Sequence, residues 1–212
     1  MSERKKIILN CDPGTDDSLC IIMGLMSPKV ELLAVTAESG NFTSDKSSEH
    51  ALQIMDLMDR HDVPVARGML HPLVRKHPSD PYSHGPDGLG GHFFPAPKGR
   101  CIDKHAALVI IDEVMKYPGE VTLLSTAPLT NVALAFMLKP EIIPMVKEIW
   151  HLGGSYGVTP YAFSNATGDN PMSEWNVYVD PEAAAIVYGS GAKLTTSGLD
   201  VAVNPEWVTI LP

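Results

Sequence analysis

Hydrophobic runs approaching the ~20 residues of a membrane span are missing from this sequence, and the apolar part of its opening "MSERKKIILN" is too short for the core of a secretory signal. Cysteine is scarce. Cys11, Cys20 and Cys101 are an odd set without metal-ligand spacing, which argues against a disulfide framework and fits a reducing, cytoplasmic setting. Cys11 lies within an apolar stretch and reads as a small buried hydrophobe. Basic charge is also short: 16 Lys and Arg stand against 25 Asp and Glu, a net charge of −9. A surface that gains affinity by neutralising phosphate backbones is not expected, so neither nucleic acid nor a membrane is an expected partner.

No internal repeat or low-complexity run appears, and 212 residues, 44% of them hydrophobic, suffice for one domain with one substantial core. Strand patterns such as "KKIILNC", "VELLAVTA", "VPVAR" and "VTLLST" alternate with helical ones such as "DDSLCIIMGLM", "SDKSSEHALQIMDLMDRH" and "PLTNVALAFML". In the first helix Leu19, Ile22, Met23 and Met26 fall at helical spacing. In the second, Ala51, Ile54, Met55 and Met58 share a face, with Ser44 as N-cap. The alternation predicts an α/β fold: an open, mostly parallel, doubly wound sheet, Rossmann-like, with helices on both faces and a site at the C-terminal strand ends. Gly68 to Arg100, rich in Pro, Gly and His, is the long connection, and such loops are more often functional than idle.

"DPGTDDS" closes the first strand with Asp12, Asp16 and Asp17, whose mutual repulsion requires either a cation or a retained proton. Asn41 follows the second strand, Thr126 the fourth, and Glu174 and Asn176 the fifth, so four strand ends converge on one polar site. Carboxylates with carbonyl and amide oxygens are hard ligands, and no Cys or His cluster competes, which favours calcium or magnesium over zinc. The plainer alternative places Asp16 and Asp17 in the first turn of a helix, where the macrodipole favours anions. A magnesium-dependent dehalogenase-type phosphatase also carries aspartates after a first strand, but it needs a D-x-D pair. Here the spacing is D-x-x-x-D-D with Pro13 intervening.

"DPGTDDS", "VTAESGN", "HGPDGLGG", "LSTAPLTNVALA", "LGGSYG" and "SEWNVYVDPEAAAIV", in that order from about Lys6 to about Asp200, resemble the calcium-dependent nucleoside hydrolases, the inosine-uridine preferring family. The resemblance implies hydrolysis of the N-glycosidic bond of a ribonucleoside to ribose and free base, in nucleoside metabolism and salvage, by a homodimer or homotetramer. Asp12 would bind Ca2+ and act as general base on the metal-bound water, Asp17 would be a second ligand, and Thr126 would ligate through its backbone carbonyl. Asp16 would hold ribose hydroxyls. Asn41, Glu174 and Asn176 would contact the sugar, and His84 in "HGPDG" would lie near the nucleobase. For the family's asparagine at the 5′ hydroxyl, "SNATGDNPMSEWN" offers Asn165 and Asn170, with Asn170 preferred as nearer to Glu174.

Against the family pattern, 1–212 reads as a single nucleoside hydrolase domain lacking its C-terminal part, where relatives add an aspartate to the calcium shell and often a histidine that protonates the leaving base. Asp200 in "GLD" matches an earlier block. A catalytically inactive, calcium-dependent nucleoside or ribose binder is the alternative this raises. His71, His77, His84 and His92 match no zinc spacing and read as exposed or base-contacting. "GLGG" follows no strand and precedes no helix, so it reads as a flexible lid rather than a phosphate loop. Trp175 reads as packing, and His105 and His151 as structural.

Overall fold

The computed structural model describes residues 4–78, 83–159 and 173–204. Short runs rich in Val, Ile, Leu and Thr become strands: β1 (Lys5–Cys11), β2 (Val30–Ala37), β3 (Val65–Arg67), β4 (Val121–Ser125), β5 (Glu148–Leu152) and β6 (Leu194–Ser197). All pair in parallel, in the order β3-β2-β1-β4-β5-β6. The expected doubly wound sheet is present.

Between the strands run α1 (Thr15–Met26), α2 (Ser44–Leu57), α3 (Ala106–Lys116), α4 (Thr130–Leu138), the short α5 (Trp175–Val179) and α6 (Pro181–Tyr188), with α7 (Leu199–Ala202) after β6. Side chains alternate along a strand, so Ile8 faces the core built with α3, α4 and α6, while Leu9 and Cys11 face α1 and α2. Right-handed crossovers explain the division: the chain winds from β1 towards β3 over one face and returns past β4 to β6 over the other. At the reversal, between β1 and β4, the outgoing chains diverge and leave a crevice.

Two local expectations are corrected. In α1 the buried side carries Asp17, Ser18, Ile21 and Leu25, whereas Leu19, Met23 and Met26 are 61%, 70% and 69% exposed. That helix is apolar on most sides, so spacing alone does not choose a face; packing of Ile21 and Leu25 on the sheet does. Ser44 is the first residue of α2, after Thr43 as N-cap. Its hydroxyl instead donates to the Gly68 carbonyl at 2.9 Å, and its N–H donates to Ser39 Oγ at 2.8 Å. Among the described residues no helix is long and apolar enough to cross a membrane.

Candidate active site

Asp12 is carried just past β1 and Asp17 sits in the first turn of α1, both 1% exposed. Pro13 and Gly14 break the strand between them, and the Gly14 N–H donates to Asp17 Oδ2 at 3.4 Å. Asp12 Oδ2 accepts the Asn41 N–H at 2.5 Å, and the Asn41 side-chain amide donates to the Asp12 carbonyl at 3.2 Å. A Cβ on Gly40 would stand 2.0 Å from Asp12 Oδ2, so only glycine lets the β2 loop approach this closely. Among the described residues, none is a hydrogen-bond partner of the buried Asp12 Oδ1. Burial and then Asp17 push the Asp12 carboxyl well up, and burial and then Asp16 raise Asp17. Two facing buried carboxylates cannot both ionise cheaply, so without a cation the pair retains a proton. Asp16 differs: its side chain is 63% exposed, with Oδ1 3.8 Å from His84 Nδ1.

The remaining strand ends join this pair by hydrogen bonds. The Thr126 hydroxyl, after β4, donates to Asp17 Oδ1. The Thr126 carbonyl accepts the Asn176 side-chain amide at 3.0 Å, and that amide also reaches the Leu152 carbonyl at 2.9 Å. Glu174 N-caps α5: Oε1 accepts the Asn176 N–H, and Oε2 accepts the N–H groups of Val177 and Gly154, each at 3.0 Å. Burial raises the Glu174 carboxyl, offset by those three donors. Asn41, Asp12, Asp17, Thr126, Asn176 and Glu174 are thus brought together. Asn165 and Asn170 lie outside the described residues.

His84 lies on the same turn, with Nδ1 3.3 Å from the Thr15 hydroxyl. His77 Nε2 is 2.9 Å from the Gly40 carbonyl, whereas His71 and His92 are exposed. The "GLGG" run, expected as a flexible lid, belongs to a formed turn in which Gly88 N–H donates to Gly85 O at 3.1 Å and Gly90 N–H to His84 O at 2.9 Å. His151 is buried on β5 between the Tyr188 hydroxyl at 3.0 Å and the Ala127 carbonyl at 3.2 Å, and burial lowers it to about 4. His105 N-caps α3, accepting from the Ala107 N–H at 3.2 Å, and Trp175 stacks on Tyr178.

Sequence reasoning missed the polar layer beneath the site. Glu38 is fully buried: Oε2 accepts the Asn131 N–H at 2.7 Å and Oε1 the Ser39 N–H at 3.1 Å, while burial lifts its carboxyl to about 8. Asn10 donates to Ser125 Oγ and the Pro128 carbonyl, each at 3.0 Å, and accepts from Thr36 Oγ1 and the Asn131 amide. The available signal was a polar residue interrupting an apolar strand end, as in "ILNC" and "TAES".

Do these residues fit a divalent cation? The unpartnered Asp12 oxygen, the Asp17 carboxylate and the Thr126 carbonyl are all hard oxygen donors, and a cation among them removes both the repulsion and the orphaned acceptor. Among the described residues no group of three or more His, Cys, Asp or Glu side chains gathers as a metal cluster.

Residues 7–210 match the family model of the inosine-uridine preferring nucleoside hydrolases. The chain is 40% identical over 202 residues to the probable uridine nucleosidase 1 of Oryza sativa subsp. japonica, covering 95% of this chain and 60% of that protein. It is 37% identical over 199 residues to the pyrimidine-specific ribonucleoside hydrolase RihB of Escherichia coli, covering 94% and 61%. Its fold superposes on the purine-preferring ribonucleoside hydrolase from Gardnerella vaginalis with a TM-score of 0.86 at 34% identity, covering 94% of this chain and 62% of that one. The chain spans about 60% of the length of the curated relatives it matches. Sequence match, parallel sheet and the placement of the acidic turn agree: the chain belongs to the inosine-uridine preferring nucleoside hydrolase family.

Proposed function

We propose that the protein hydrolyses the N-glycosidic bond of ribonucleosides, releasing ribose and free base, with Asp12 as general base. The observation that carries this reading is the buried Asp12 Oδ1, at the reversal point of the sheet, without a hydrogen-bond partner among the described residues. A general base needs an open lone pair within reach of the proton it takes, and Asn41 leaves this one open while holding the other oxygen.

Asp12, Asp17 and the Thr126 carbonyl would hold Ca2+, which when bound polarises water and a vicinal diol. Asp12 accepts the proton of the attacking water. Asp16, exposed at the rim, accepts from ribose hydroxyls. Asn176 spends its amide hydrogens on the Thr126 and Leu152 carbonyls, which turns its carbonyl oxygen into the group free to face the sugar. Glu174 and the aspartates supply negative potential that favours an oxocarbenium-like ribosyl transition state over the neutral substrate. His84, which sits beside Thr15, would contact the base. The relatives are named for uridine, pyrimidine nucleosides and purine nucleosides, so the proposal is for ribonucleosides as a class.

The test is ribose release from inosine and from uridine, with calcium and with EDTA. Release that EDTA abolishes is expected. Calcium-dependent nucleoside binding without ribose release would overturn hydrolysis and leave a nucleoside binder.

A further inference from the structure

The loop that presents His84 is built around one carboxylate. Asp87 Oδ1 accepts the N–H of Leu89 at 3.0 Å and of Gly91 at 2.7 Å, and Oδ2 accepts the N–H of Phe93 at 2.7 Å. Gly85, Gly88, Gly90 and Gly91 have φ of 80°, 83°, 74° and 80°, the left-handed region that lets successive N–H groups turn inward on an anion. Desolvation opposes the charge, yet the Phe93, Leu89 and Gly91 N–H groups pull the Asp87 carboxyl down to about 2.

Both flanks of this loop seat on the acidic turn. On one side the His84 ring covers Gly14, where a Cβ would meet it at 2.5 Å, and Nδ1 is 3.4 Å from the Thr15 N–H nitrogen. On the other, Gly88 lies against Phe42 and His50, and His50 Nδ1 is 2.7 Å from the Pro13 carbonyl. The buried Leu89 anchors the loop between them. With both flanks held, what remains adjustable is the path from His84 to Phe93, and the Asp87 carboxylate sets it.

We propose that Asp87 is a positioning residue, whose carboxylate gathers the 84–93 turn so that the His84 imidazole is held over the first turn of α1. The consequence for turnover rests on the nucleoside reading above; the consequence for His84 does not.

The experiment combines two readouts on Asp87→Asn, which keeps one acceptor oxygen, and Asp87→Ala, which keeps none. The first is NMR: hydrogen exchange of the Leu89, Gly91 and Phe93 amides and the ring resonances of His84. The second is kcat and KM for inosine and uridine in Asp87→Ala, His84→Ala and the double variant. Exchange should accelerate roughly tenfold or more in Asp87→Ala, less in Asp87→Asn, with His84 resonances displaced. KM should rise about tenfold, and Asp87→Ala should add nothing in the His84→Ala background. Unmoved His84 resonances, or fully additive kinetic losses, would overturn the proposal. Wild-type protein without turnover would count against the hydrolase reading alone, since the NMR limb still decides what Asp87 does.

Discussion

Asp12, just past β1, and Asp180, at the N-cap of α6, are both buried aspartates, and their surroundings are opposite. Asp180 N-caps α6: Oδ1 accepts the Ala183 N–H at 2.9 Å, while Oδ2 accepts the Thr130 hydroxyl at 2.7 Å and the Leu73 N–H at 2.9 Å. Three donors tie α6, α4 and the start of the long loop into one joint. Among the described residues Asp12 has a single donor on one oxygen and none on the other, with a second carboxylate, that of Asp17, raising its carboxyl further. A buried acid with every oxygen satisfied is a cap; one left short of donors beside another acid is arranged for a ligand that brings positive charge.

The sharpest way to break the comparison is Asp12→Asn. Ribose release should fall about 1,000-fold, while the metal-free protein should melt higher because the repulsion with Asp17 is gone. Kinetics and thermal melting measured on the same preparation check both halves. A lower melting midpoint would place Asp12 with Asp180 among the caps.

Glu38 is an intermediate case, fully buried with two N–H donors. Its folded value of about 8 lies above the ordinary 4.5, so the folded chain keeps a proton that the unfolded chain releases. Stability from that proton is complete below pH 4.5 and is lost as pH rises to about 8. Glu38→Gln should remove this dependence, with the gap between variant and wild type widening towards alkaline pH by on the order of 4 kcal/mol. Denaturant unfolding at several pH values measures it, and parallel profiles would refute it.

Asp180→Ala should cost about 3 kcal/mol of stability by stranding two buried donors and a third that is partly buried, without altering nucleoside affinity in the fraction that remains folded. Unfolding midpoints alongside binding isotherms separate the two effects. The smallest change expected is Thr126→Val, which deletes the hydroxyl bonded to Asp17 and keeps the main-chain carbonyl: about 1 kcal/mol, with calcium dependence retained. Loss of the calcium response in that variant would show that the hydroxyl, rather than the carbonyl, is the ligand.

Much of the site was legible because strand ends are legible. "IILNCDPGTDDS" sets an apolar run against a Pro-Gly break, so Asp12 falls at the C-terminal end of a strand whatever the rest of the chain does. The role of Glu38 was not legible: "TAES" shows a polar residue at an apolar strand end, but its partner Asn131 is 93 positions away and no local pattern announces the pairing. In the sequence Asp87 is one more residue of a glycine-rich loop; only the left-handed glycines of the folded turn bring the Leu89, Gly91 and Phe93 N–H groups onto it.

By itself the sequence determined the alternation of strand and helix, and with it the parallel sheet and the strand ends that carry the acidic turn, because periodicity and backbone sterics act over a few residues. Only the tertiary structure decided which side of α1 turns inward, which buried carboxylates are satisfied and which are left open. Those outcomes depend on which donors the surrounding segments contribute, and burial decides their worth: an aspartate is a cap where three N–H or O–H groups meet it, as at Asp180, and keeps an open oxygen where they do not, as at Asp12.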